Sequence, residues 1–156
     1  MKNLYIIIMI PTLTFGQIKQ LNTVLYGDGI NSSKSRTSLE LEIQEAINFH
    51  NTIRVYQLNT LLEYDQNLSI SAKQWAENVI KTGDLDYDTN IPGSVGELLY
   101  RVDTTDEIPN YNPYLDATTY WATNGGSSTM SFDEYETIGM GVAYGNGKVV
   151  VVARYK

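Results

Sequence analysis

The chain contains no cysteine and a single histidine among its 156 residues. Without thiolates it can form neither disulfides nor the catalytic and metal sites that depend on cysteine. One imidazole cannot supply the histidine pairs of zinc proteases or of many iron sites. Packing and hydrogen bonds must therefore hold the fold, and a multi-histidine metal enzyme cannot be built from one chain.

Basic side chains are also in the minority. The chain has 11 lysines and arginines against 18 aspartates and glutamates, which gives a formal net charge of -7 at pH 7. An acidic protein repels phosphate groups and anionic lipid headgroups. The charge balance therefore argues against nucleic acid and against an anionic membrane as partners.

The apolar stretch over residues 4–10 is too short to span a bilayer. It follows Lys2, is broken by Pro11, and falls well below the ~20 residues that a spanning helix needs. This pattern predicts a secretory signal peptide over residues 1–16, with a membrane anchor as the alternative. Loss of Lys2 with that segment would change the net charge from -7 to -8, and the mature protein is expected to be extracellular.

The rest of the chain is expected to form one domain. A content of 42% hydrophobic residues is enough for a single core in a chain of this length. Residues 17–37 show no periodicity and are rich in turn residues, which predicts an N-terminal arm before a domain over residues 38–156. Asn31 and Asn67 begin Asn-x-Ser sequences and are candidate glycosylation sites.

Three segments have helical periodicity. The first begins at Thr37, whose hydroxyl has capping-box spacing to Glu40, and continues with an apolar face beyond residue 50. The second covers residues 67–81, places Trp75 in its apolar stripe, and is expected to end at Gly83. A third, shorter helix is predicted over residues 114–122.

Strands are predicted over residues 96–100, 137–144 and 148–155. The last two flank an Asn-Gly turn at residues 146–147, which is typical of a β-hairpin. Residues 149–152 are apolar on both faces, which predicts a central strand covered on both sides, and Gly139 and Gly141 are expected to allow close packing against a helix. Together these elements predict an α+β fold, a three-layer α-β-α sandwich with a small, mainly antiparallel sheet.

Two acidic features call for an explanation. Glu97 lies between Gly96 and an apolar run, so it either points to water or has a dedicated partner. Asp84, Asp86 and Asp88 alternate before it, but the glycine and glutamate that a calcium loop needs further on are absent, so a solvated acidic turn is the simpler interpretation.

Four segments in order resemble a known family. They are H-N-x-x-R at His50, Asn51 and Arg54; N-L-x-x-x-A with an aromatic residue, at residues 67–75; G-E-x-L at residues 96–99; and the ending over residues 138–155. The chain resembles the CAP superfamily of cysteine-rich secretory proteins, antigen 5 and pathogenesis-related proteins over residues 39–155. It is similar to a divergent, cysteine-free member carrying one SCP domain.

The resemblance implies a cavity in which two histidines and two glutamates hold a divalent metal in several members. The corresponding positions in this chain are Tyr87, Glu97, Asn124 and Gly126, so only one of the four is retained. The resemblance therefore implies a degraded metal site without cofactor. Glu97 is expected to be hydrogen-bonded, with the Tyr87 hydroxyl as one candidate partner. His50, in the H-N-x-x-R segment, is interpreted as a structural histidine bonded to backbone rather than a ligand or base.

These interpretations favour a secreted, non-enzymatic binding or effector module. Its partner would be an unidentified extracellular protein, or a lipid or sterol, as reported for relatives. A metal-dependent hydrolase or protease of the same fold is the alternative.

Overall fold

The structure is a computed structural model that describes residues 38–104 and 111–156. The elements in these ranges are α1 (Ser38–Tyr56), β1 (Glu63–Tyr64), α2 (Gln66–Thr82), β2 (Gly96–Asp103), α3 (Pro113–Thr123), α4 (Ser127–Met130), β3 (Thr137–Gly145) and β4 (Lys148–Tyr155). The predicted signal peptide (residues 1–16), the predicted arm (17–37), Thr37 of the capping box and the glycosylation candidate Asn31 lie outside the described residues.

The four strands form one sheet in the order β1-β3-β4-β2. β1 runs parallel to β3, while β3–β4 and β4–β2 are antiparallel pairs. The β3–β4 hairpin closes at Asn146 and Gly147, whose φ angles of 53° and 67° are those of a tight hairpin turn. The predicted α+β class and the mainly antiparallel sheet are confirmed.

Side chains of β4 alternate between two separate cores. Val149, Val151 and Ala153 pack in the larger core with buried residues of α1 and α3, whereas Val150 and Val152 pack with α2. All five are fully buried, and each valine contributes on the order of 2 kcal/mol by removal from water. The sheet is therefore covered on both faces, which makes the fold a three-layer sandwich, as the sequence predicted.

α2 lies unusually close to β3. A Cβ atom on Gly139 would collide with the backbone of Ser69, and one on Gly141 with the backbone of Lys73. The Met140 amide also donates a hydrogen bond to the Ser69 hydroxyl at 2.9 Å. The two glycines allow this close approach, which confirms their predicted role.

The ends of α2 follow from local chemistry. The Asp65 carboxylate accepts hydrogen bonds from the amides of Asn67 and Leu68 and so caps the first turn. Gly83, with φ at 83°, ends the helix and donates its N–H to the Val79 carbonyl. The predicted helix is one residue shorter at each end than the observed one.

Candidate functional site

Glu97 has a dedicated partner on the neighbouring strand. It lies directly opposite Arg154 in the β2–β4 register, and its Oε2 accepts a hydrogen bond from Arg154 Nε at 2.9 Å. Because Leu98 and Tyr100 point into the α1/α3 core, alternation places Glu97 on the opposite, α2-facing side of the sheet. Glu97 is 9% and Arg154 4% exposed, so the pair is largely removed from water.

Asp88 completes this buried ionic cluster. Its Oδ2 accepts from Arg154 Nη2 at 2.7 Å, and its backbone N–H donates to Glu97 Oε1 at 2.9 Å. Burial alone would raise the pKa of Asp88, but hydrogen bonds from the Asn90 amide and from Arg154 outweigh it and lower the pKa below its usual value. The acidic segment before β2 is therefore attached to the sheet through Asp88, by the Arg154 guanidinium and by the Glu97 carboxylate.

The cluster differs from what the sequence suggested in two respects. Asp84 and Asp86 are exposed as expected, but Asp88 is not a solvated turn residue, because it is paired with Arg154. Both oxygens of Glu97 are occupied by Arg154 and by the Asp88 amide, whereas Tyr87, the candidate partner, is 62% exposed. Arg154 was not identified from the sequence as the partner of Glu97, because that pairing depends on strand register. Its alternation with Val150 and Val152 could have predicted that its side chain lies on the α2-facing side of β4.

The other two cavity candidates, Asn124 and Gly126, lie at helix ends and have structural roles there. The carboxamide nitrogen of Asn124 donates to the Tyr120 carbonyl and the Thr123 hydroxyl, both at 2.9 Å, at the exposed end of α3. Gly126 is the N-cap residue before α4, and a Cβ atom there would lie 2.7 Å from Cβ of Trp121. α3 packs on the sheet face opposite the Glu97 side chain. Across residues 38–104 and 111–156, no group of three or more His, Cys, Asp or Glu side chains could hold a metal ion.

His50 is wholly buried and both ring nitrogens are engaged. Nδ1 lies 2.9 Å from the Ala46 carbonyl, which can only accept, so Nδ1 carries the proton. Nε2 then accepts a hydrogen bond from the Tyr155 hydroxyl at 2.8 Å. Burial, and to a lesser extent the charge of Arg54, lower the pKa of His50 to about 4 despite the opposing Ala46 hydrogen bond. The imidazole is neutral at pH 7 and sealed from solvent.

Asn51 and Arg54 organise the loops around this histidine. The Asn51 carboxamide exchanges two hydrogen bonds with the backbone of Leu62, at 2.7 and 3.1 Å. Arg54, also fully buried, donates to the carbonyls of Thr60, Phe132 and Tyr135. The H-N-x-x-R segment thus joins α1 to the loop that directly follows it and to a second loop, with Phe132 and Tyr135, that is distant in sequence.

The glycosylation candidate Asn67 is exposed in the first turn of α2. Ser69, the third residue of its Asn-x-Ser sequence, is buried, and its hydroxyl accepts from the Met140 amide. In the folded domain this hydroxyl is therefore already engaged, and glycosylation at Asn67 stays a prediction.

Comparison with models of protein families assigns the chain to one family. The family model described as CAP, the cysteine-rich secretory protein family, matches residues 47–155, which is more than half of the chain. The protein therefore belongs to the CAP family. Comparison with curated protein sequences gives no significant match.

Solved structures share the fold at low sequence identity. NaASP2, solved with Zn²⁺, has a TM-score of 0.59 at 14% identity, with 80% of this chain and 82% of that chain covered. An outer surface protein of Borrelia burgdorferi has a TM-score of 0.59 at 11% identity, covering 78% and 96%. An extracellular SCP-domain protein of Bacillus anthracis has a TM-score of 0.53 at 14% identity, covering 80% and 45%.

The described part of the chain holds no helix that is long and apolar enough to cross a membrane.

Proposed function

We propose that the protein is a secreted CAP-family binding or effector module that has no catalytic activity and uses no metal. The observation that carries this proposal is the engagement of Glu97 by Arg154 and by the Asp88 amide. The one carboxylate retained from the family's metal-binding positions is thereby committed to a structural ion pair.

A divalent cation at Glu97 would meet two obstacles. It would lie beside the guanidinium of Arg154, and like charges a few ångströms apart repel strongly in a poorly solvated site. Displacing Arg154 instead would leave a buried guanidinium with one partner fewer, which is costly. The other three matched positions are poor metal ligands. Tyr87 has an exposed phenol, the side-chain amide of Asn124 is already hydrogen-bonded, and Gly126 has no side chain.

Acid–base catalysis at His50 is also disfavoured. The imidazole has no exposed surface, and its two nitrogens are occupied by Ala46 and Tyr155. A general base must reach the proton it removes, directly or through one water. The single histidine of the chain therefore supports the fold rather than a reaction.

Binding would use the surface rather than the inherited cavity. The segment before β2 exposes Leu85 and Tyr87 while Asp88 fastens it to the sheet, so it presents apolar side chains from a fixed backbone. The net charge of -7 disfavours nucleic acid and anionic membranes. We propose an extracellular protein as the partner, and a lipid or sterol as the alternative ligand.

Calorimetric titration of the purified protein with Zn²⁺ tests the absence of a metal site. We expect no saturable binding at pH 7, either by the wild type or by Glu97→Gln. Glu77→Gln, on the exposed face of α2, is the matched control for loss of one negative charge. One-site Zn²⁺ binding that is abolished by Glu97→Gln but retained by Glu77→Gln would overturn the proposal. A parallel titration with a fluorescent sterol distinguishes the two ligand classes.

A further inference from the structure

A second group of polar and aromatic side chains lies on the other face of the sheet, between β2 and α3. Tyr100 of β2 donates its hydroxyl hydrogen to Oδ2 of Asp116. Its ring lies 5.3 Å from the ring of Tyr120, centroid to centroid, with the planes tilted by 54°. Asp116 and Tyr120 are four residues apart on α3 and so occupy the same side of that helix.

The group is open to solvent at its rim. Tyr100 is buried, whereas Tyr120 is 49% exposed, and Asp116 and Tyr111 are exposed as well. Burial, the Asp116 carboxylate and the neighbouring hydroxyls of Tyr111 and Tyr120 all raise the pKa of Tyr100. Tyr100 and Tyr120 therefore lie close to one carboxylate, Asp116, and the Tyr120 ring and Asp116 are both open to solvent.

The surroundings of this group are acidic. Glu42 lies close enough to Tyr114 and Tyr144 to raise the pKa of each, in addition to their burial. The Glu45 carboxylate accepts a hydrogen bond from Asn112, at the start of α3. Among the described residues, α3 carries no basic side chain, and the only one on α1, Arg54, is fully buried. The field at this surface favours cations.

We propose that Asp116 and Tyr120, both in contact with or beside the buried Tyr100, form a recognition site for an arginine side chain of a protein partner. The faces of tyrosine rings attract cations, and a carboxylate accepts paired hydrogen bonds from a planar guanidinium. Arginine satisfies both groups at once, because it stacks on aromatic faces and donates in a fixed fork. Asp116 keeps acceptor capacity beyond the bond from Tyr100, since a carboxylate has about four lone-pair positions.

The site deepens the proposed function, since it names the chemistry by which the binding module would recognise a protein. It does not depend on the Glu97 cluster. Arg154 and Glu97 lie on the α2-facing side of the sheet, whereas Tyr100 points to the opposite side. Failure of one proposal therefore leaves the other standing, provided that the two are measured separately.

Titration with a short peptide carrying three arginines tests the site. The control ligand is the same peptide with citrulline at those positions, which keeps the planar side chain and removes its charge. Binding is followed by calorimetry and by the NMR signals of the tyrosine rings at low ionic strength, with a chelator present to remove metal ions. We expect saturable binding of the arginine peptide and at least about tenfold weaker binding of the citrulline peptide.

Variants separate recognition from general charge attraction. Asp116→Asn, which can still accept from Tyr100, and Tyr120→Leu are each expected to weaken arginine-peptide binding about tenfold. Tyr120→Phe keeps the ring, and Glu77→Gln removes a carboxylate from the exposed side of α2; both are expected to bind within about twofold of wild type. Equal losses in Asp116→Asn and Glu77→Gln, or unchanged binding by Tyr120→Leu, would overturn the proposal. If the arginine peptide does not bind and Zn²⁺ does not bind either, only the arginine site is refuted, and the proposal of a metal-free binding module stands.

Discussion

The Tyr155 hydroxyl, at the end of β4, donates a hydrogen bond of 2.8 Å to Nε2 of His50 in α1. This bond joins the last strand to the first helix through the interior of the larger core, where both side chains have no exposed surface. It also fixes the protonation state of the imidazole. With Nδ1 bonded to the Ala46 carbonyl, adding a second proton would require Nε2 to donate to a hydroxyl that now donates to it.

The first prediction is a loss of stability in mild acid. The pKa of His50 is about 4 in the folded protein and 6.5 when unfolded. Between these values the unfolded chain binds more protons, so the free energy of unfolding falls as pH falls from about 6.5 to about 4. The shift corresponds to about 3 kcal/mol in total. Urea denaturation at half-unit steps from pH 7 to pH 5 measures the slope.

His50→Gln is the control for this pH dependence. The chain has one histidine, so no other side chain of ordinary pKa titrates between pH 7 and pH 5.5. The variant is expected to be less stable than wild type at pH 7 but to show a flat profile in that interval. The same slope in both proteins would show that His50 is not the titrating group.

The second prediction concerns Arg154. Replacing it with methionine leaves Glu97 and Asp88 without their counter-charge in a largely buried site, which is expected to cost about 3–5 kcal/mol. We also expect faster proteolysis within residues 84–95, because Arg154 fastens that segment through Asp88. Chemical denaturation and limited proteolysis at pH 7 measure both effects.

The double variant Arg154→Met with Glu97→Leu tests the reason for that cost. It removes the buried charge on Glu97 along with its partner, so it is expected to recover part of the lost stability. Asp88 is more exposed than Glu97 and can regain water in this variant. A double variant as unstable as the sum of the two single changes would contradict the interpretation of the cluster as an ion-pair network.

Much of the fold was predictable because its signals are local. The apolar stripe of α2, its end at Gly83, and the hairpin at Asn146 and Gly147 each depend on a few neighbouring residues. β1 and α4 were missed because two and four residues are too short to show a period. The partners of Glu97 and Arg54 could not be predicted for another reason. The pairing of Glu97 with Arg154 depends on strand register. The partners of Arg54 include loop carbonyls that only tertiary folding brings together.

The third prediction is that Leu58→Gly stabilises the protein. Leu58 follows α1 with φ at 60°, and its side chain is 95% exposed. A left-handed backbone costs a branched L-residue about 1–2 kcal/mol, and this side chain gains almost nothing by burial. Glycine removes that strain but makes the unfolded chain more flexible, so a net gain of about 0.5–1 kcal/mol is expected. Leu58→Ala keeps the strain, so its midpoint in thermal denaturation should not rise above that of the wild type. A lower midpoint for Leu58→Gly would mean that the leucine side chain supports the fold.

The fourth prediction measures the close approach of α2 to β3. Gly141→Ala places a Cβ atom against the backbone of Lys73, where no flexible side chain can move aside. Either the helix shifts away from the sheet or the strand bends, and both loosen packing around Ala72 and Val152, at an expected cost of about 1–3 kcal/mol. Gly93→Ala is the matched control, because a Cβ atom there has no neighbour within 4 Å. Urea denaturation should therefore show a lower midpoint for Gly141→Ala and a midpoint close to wild type for Gly93→Ala. Equal midpoints for the two variants would mean that the helix can move away from the strand at little cost. The spacing of these two layers would then not depend on the glycines in β3.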